Sequence, residues 1–88
     1  MIVKNAKNTS NLEPPSDYDS WLKYWESHKQ LSIFCSCKNC NNLAEIGGHI
    51  ERCFSSKKKL YIVPLCKKCN SKTGTFEVSE ENLVEAPK

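Results

Sequence analysis

Six cysteines lie in a chain of 88 residues, and four of them form two CxxC pairs, Cys37/Cys40 and Cys66/Cys69. No other feature restricts the fold as strongly. Thiolates on a tight turn can grip one metal ion, and two such turns complete a tetrahedral site. Four soft sulfur ligands in that geometry suit Zn²⁺. The expected site is therefore a structural zinc held by Cys37, Cys40, Cys66 and Cys69. Residues 41–65 separate the pairs, more than the usual spacer, which leaves room for a β-hairpin inside the metal loop. Cys35 is read as a buried strand residue, with its exchange for Cys37 as ligand kept as the alternative. Cys53 has no assigned role.

Disulfides are the competing use of six cysteines. Met1-Ile2-Val3-Lys4 starts no secretory signal, since no apolar h-region follows it. No apolar run approaches the length of a membrane span. The expectation is a cytoplasmic, monomeric protein whose thiols bind metal rather than each other. A core this small needs such a staple.

Residues 1–15 (MIVKNAKNTSNLEPP) are polar and end in two prolines, a composition expected to form a disordered arm. Residues 16–86 then form a single zinc-binding domain. Ser16-Asp17-Tyr18-Asp19 fits a capping box for a helix over 16–29. Tyr18, Trp21, Leu22 and Trp25 fall at i, i+3, i+4 and i+7, one face of that helix. This amphipathic helix is expected to pack over the zinc module; the functional alternative is an aromatic surface for bases or for a protein partner. Residues 31–35 form a short strand into the first metal turn, Cys37 to Asn42, where Asn tolerates left-handed backbone. Residues 43–51 (LAEIGGHIE) and 60–64 (LYIVP) make a hairpin around a basic turn at 55–59. Alternation sets Ile46, Gly48 and Ile50 on one face, and Glu45, Gly47, His49 and Glu51 on the other. Gly47-Gly48 permits a bulge or a close backbone approach. Residues 65–72 form a short helix carrying the second thiolate pair, and the tail at 75–88 adds a short strand and a Leu83-Val84 contact.

The resulting fold class is a small α+β zinc-stabilised domain. Its order of zinc knuckle, β-hairpin and short helix over residues 33–74 resembles a treble-clef zinc finger, here preceded by an amphipathic helix. Cys37-x-x-Cys40, His49 in GGHI and Leu65-Cys66-x-x-Cys69-Asn70 resemble the HNH, or His-Me-finger, endonucleases in zinc-stabilised form. The layout also resembles small bacterial zinc-binding proteins with a GAHV-type strand and an IVPLCxxCN ending. The HNH resemblance implies His49 as general base and Asn70 as a ligand for catalytic Mg²⁺ or Mn²⁺. It also exposes two departures. Gly48 stands where many members place an acidic residue, and Tyr61 stands at the family's middle asparagine.

Charge adds a further expectation. The formal net charge is +3, but Arg52, Lys57, Lys58, Lys59, Lys67, Lys68 and Lys72 lie in a stretch with no acidic residue. That basic surface suits nucleic-acid phosphates. The leading reading is a zinc-framed domain contacting nucleic acid, with an incomplete catalytic motif. A metal-dependent HNH-type endonuclease using His49 is the first alternative. A protein-interaction module displaying the Trp21/Trp25 helix is the second.

Overall fold

The computed structural model describes residues 1–9, 11–56 and 59–87. Five antiparallel strands form one sheet in the order β4-β1-β2-β3-β5: β1 Ile2–Asn5, β2 Ile46–Arg52, β3 Leu60–Leu65, β4 Thr75–Glu77 and β5 Val84–Glu85. Helix α1 spans Trp21–His28, helix α2 spans Lys67–Asn70, and a 3-10 turn covers Glu80–Asn82. This is a small α+β domain. Among the described residues no helix is long and apolar enough to cross a membrane.

The β2–β3 hairpin is the sheet's centre, pairing Ile46 with Leu65 through to Glu51 with Leu60. Its alternation sorts side chains onto two layers, as expected. Ile50, Val63 and Leu65 join Val3, Phe76, Val78 and four of the cysteines in one buried cluster. Ile62 and Val84 join Tyr24 and Trp25 of α1 in another on the opposite face.

Several expectations change. The first residues are not an arm: β1 is inserted between β2 and β4, with Val3 opposite Arg52 on one side and Phe76 on the other. Val3 is fully buried. Two neighbours satisfy the backbone groups of β1, so even a four-residue strand is held. Helix α1 begins later than expected. Ser20, not Ser16, is the N-cap, its hydroxyl accepting the Lys23 amide at 3.1 Å. Residues 15–18 instead close a turn in which the Tyr18 amide donates to the Pro15 carbonyl. Finally, α1 lies on the sheet face away from the cysteines, rather than over the metal module.

Helix α1 is fastened by the polar tips of its aromatics. Trp25 Nε1 donates to the Asn82 carbonyl at 2.7 Å, Tyr24 Oη to the Glu85 carbonyl at 3.0 Å and Trp21 Nε1 to the Leu12 carbonyl at 3.1 Å. Each ring, buried in Tyr24 and Trp25 and half-buried in Trp21, thus keeps a partner for its one polar group. Of the tail expected at 75–88, residues 75–86 pack back through the Asn82 and Glu85 carbonyls, through β4 and β5, and through the Ala86 amide on the Leu60 carbonyl. The strand expected at 31–35 is reduced to a single bridge between Phe34 and Leu43.

Candidate metal centre

The sulfurs of Cys35, Cys40, Cys66 and Cys69 lie within 4.8 Å of one another. Cys40 Sγ is 3.9 Å from Cys66 Sγ and 3.8 Å from Cys69 Sγ. These separations are far beyond a disulfide bond, and all six cysteines are free. A tetrahedron with Zn–S bonds of about 2.3 Å has edges of about 3.8 Å. The donor set therefore fits a structural zinc.

Three segments deliver the four sulfurs. Cys35 is held by backbone bonding of its amide to the Asn42 carbonyl at 2.9 Å, and the adjacent Ser36 amide reaches the Pro64 carbonyl of β3 at 2.8 Å. Cys40 follows a turn closed by its own amide on the Cys37 carbonyl at 3.1 Å. Asn39 in that turn has φ 66°, the left-handed conformation asparagine tolerates. Cys66 is the N-cap of α2, and Cys69 lies one turn on. The Cys69 amide and the Asn42 carboxamide point at Cys66 Sγ from 3.4 and 3.6 Å. Burial pushes the Cys66 thiol up, but these donors and the neighbouring thiols pull it down to about 6. Burial also raises Cys35, against the Cys66 and Cys37 amides that lower it. Burial and the crowd of thiols push Cys69 well up. Cys66 is thus the favoured thiolate, with the Cys35 and Cys69 thiols pushed the other way; a thiol must lose its proton to bind a metal ion.

The expected ligand set paired Cys37 with Cys40, and the gathered set has Cys35 instead. Cys37 is buried beside the cluster, where it also contacts Cys69, but a β-bridge to Val78 fixes its backbone. Its sulfur accepts a hydrogen bond from Lys72 Nζ at 3.4 Å. Sequence reasoning also missed Asn5. From β1, its Nδ2 donates to the Cys69 and Lys72 carbonyls, both at 3.0 Å, and so ties the end of α2 to the sheet. A polar residue in a segment read as an arm carries no such signal.

His49 and Asn70 are not brought together. A Cβ on Gly48 would meet Asn70 Oδ1 at 2.7 Å, whereas one on Gly47 would meet the backbone of Trp21 and Leu22 at 2.5 Å. His49 shares the face of Gly47, and its ring meets Trp21 edge-on with centroids 4.6 Å apart. The sheet therefore separates the imidazole from Asn70. Burial holds the His49 pKa below its ordinary value.

The basic residues are dispersed. Arg52 reaches Glu80 at 3.9 Å and Lys59 reaches Glu85 at 3.3 Å. Lys72 lies over the Phe76 ring as well as on Cys37. Lys67 and Lys68 are exposed on α2. Lys57 and Lys58 lie outside the described residues. The chain matches no protein-family model, no curated protein and no solved structure with which it was compared.

Proposed function

We propose that this chain is a zinc-binding domain in which one Zn²⁺, held by Cys35, Cys40, Cys66 and Cys69, has a structural role. The observation that carries the reading is the set of sulfur separations near the edge length of a zinc tetrathiolate. The order of turn, hairpin and short helix around those sulfurs supports a treble-clef-like unit, here extended into a wider sheet by β1, β4 and β5. Opposite placement of His49 and Asn70 favours a non-catalytic domain over the endonuclease alternative, because the imidazole does not stand beside the residue expected to hold Mg²⁺ or Mn²⁺. The Trp21/Trp25 helix spends its apolar face inside the chain, with Trp25 only 4% exposed, which weighs against its use as a display surface.

Metal analysis of the purified protein should give one zinc per chain, and chelation should unfold it. Cys35→Ser, Cys40→Ser, Cys66→Ser and Cys69→Ser should each lose the metal, while Cys37→Ser keeps it. Loss from Cys37→Ser with retention by Cys35→Ser would restore the CxxC pairing. A chain that stays folded and metal-free would end the zinc reading.

Nucleic-acid contact is the finer part of the proposal. Exposed Lys67 and Lys68 support it, since their ammonium groups make no ion pair among the described residues. Retention on DNA at low salt should weaken as salt rises and should drop in a Lys67→Ala/Lys68→Ala variant. Equal retention by the variant would remove these lysines from the interface.

A further inference from the structure

The sheet face away from the cysteines carries a cavity of about 650 Å³. It opens between the start of α1, the 12–15 segment and the ends of β3 and β5. Pro15, Trp21, Leu60 and Ala86 supply apolar wall, and His49 is part of the lining. His49 is only 8% exposed, and its Nε2 has no hydrogen-bond partner among the described residues. Buried ring nitrogens are ordinarily paired, so an orphaned one beside a cavity needs a partner that the described residues do not provide.

We propose that this cavity binds a small neutral aromatic molecule bearing a hydroxyl, a phenol-class ligand, with its ring against Trp21 and its hydroxyl on His49 Nε2. A hydroxyl both donates and accepts, so it satisfies the nitrogen in either tautomer of a neutral imidazole. The rim selects against anions. Among the described residues of the rim the one cation, Lys59, already pairs with Glu85 at 3.3 Å, and Glu13 adds a second carboxylate. The apolar wall excludes a strongly hydrated charge of either sign. Trp21 lies against the imidazole and is tethered by one hydrogen bond to the Leu12 carbonyl at 3.1 Å. Release of that bond lets the indole turn and admit the hydroxyl to Nε2. Pockets of this kind, apolar with one directional polar group, are the usual form of small-molecule sites. The site stands on the opposite sheet face from the metal, so it does not depend on which cysteines are ligands.

The test is an NMR titration of the full zinc-loaded chain with p-cresol and, separately, with toluene. p-Cresol should shift the Trp21 Nε1–H and His49 ring signals saturably, with a Kd about three- to tenfold below that of toluene, the worth of one net hydrogen bond. His49→Phe should erase the preference for p-cresol. Ala86→Trp fills the cavity and should abolish binding of both probes, which keeps the test decisive if His49→Phe fails to fold. The proposal is overturned by the absence of saturable shifts with 10 mM p-cresol, roughly tenfold above a millimolar Kd. Equal affinity for the two probes overturns it, as does binding that survives Ala86→Trp.

Discussion

At Gly47 the backbone of α1 lies directly against β2, and replacing this glycine with alanine should be costly. The new Cβ would lie 2.5 Å from the Leu22 amide nitrogen and the Trp21 carbonyl carbon, and 2.8 Å from the Trp21 oxygen. Comfortable contact begins at about 3.5 Å, so α1 would have to retreat by roughly 1 Å. Its retreat is opposed by the hydrogen bonds of Trp21, Tyr24 and Trp25 to the Leu12, Glu85 and Asn82 carbonyls. Overpacking of this kind costs about 1–3 kcal/mol, and rigid backbone on the receiving side argues for the upper half. Lower entropy of the unfolded alanine chain returns about 0.4–1 kcal/mol. The net loss is about 2 kcal/mol, which lowers Tm by about 8–16 °C in a domain of this size.

Two other glycines act as internal controls. At Gly48 an added Cβ meets Asn70 Oδ1 and Leu65 Cδ1, both at 2.7 Å, which are side-chain ends that can turn away. Gly48→Ala should lose about 1 kcal/mol, the lower end of the overpacking range. Gly74 has nothing within 4 Å, and its φ is not positive. Gly74→Ala should be neutral or stabilising by up to about 1 kcal/mol. Thermal melts of the three variants at saturating zinc give the comparison, because bound metal shifts apparent stability and must be held constant. If Gly47→Ala melts at or above Gly74→Ala, α1 does not pack on β2 in this manner.

Two further outcomes follow from the same layers. Val3→Ala should destabilise by about 2–3 kcal/mol in urea unfolding, from lost burial plus a cavity; a neutral result would mean that residues 2–5 do not enter the sheet. Burial depresses the His49 pKa, so below about 6.5 the unfolded chain takes up the proton before the folded one. The stability tied to the neutral ring is complete above that pH and is lost as pH falls through the folded value. Wild type should therefore lose stability more steeply than His49→Phe between about pH 7 and 5. Parallel curves would show that the imidazole is not desolvated.

The features that the sequence announced are those set by neighbouring residues. Alternation in residues 46–50 defines β2 and its faces, and Cys66 and Cys69 sit on one short helical turn whose amides face the first sulfur. What it did not announce depends on distant partners. Ile2-Val3-Lys4-Asn5 becomes a strand because residues 50–52 and 75–77 are on either side of it, and neither partner is visible from the segment's own polar surroundings. The same holds for the choice between Cys35 and Cys37. Spacing favours Cys37, but a bridge to Val78 and a lysine from beyond α2 occupy it, and Cys35 enters the cluster.

Parity along β2 explains why the GGHI segment does not behave as its resemblance implies. Gly47 and Gly48 are adjacent, yet each missing side chain opens a different layer: Gly47 admits the backbone of α1, and Gly48 admits Asn70 and Leu65. The next two residues repeat the division. His49 turns to Trp21, while Ile50 joins the cysteine-rich core beneath α2. A histidine partnered with Asn70 would have to stand at an even-numbered position of this strand, on the face of Gly48 and Ile50. A one-residue slip of β2 that set His49 in the Gly48 position would leave a glycine opposite the helix backbone, but it would send Ile50 to the α1 side and bring Glu51 into the fully buried position of Ile50. The burial of Ile50 in the cysteine-rich core therefore fixes the register, and the register places the imidazole in the aromatic layer, away from the metal.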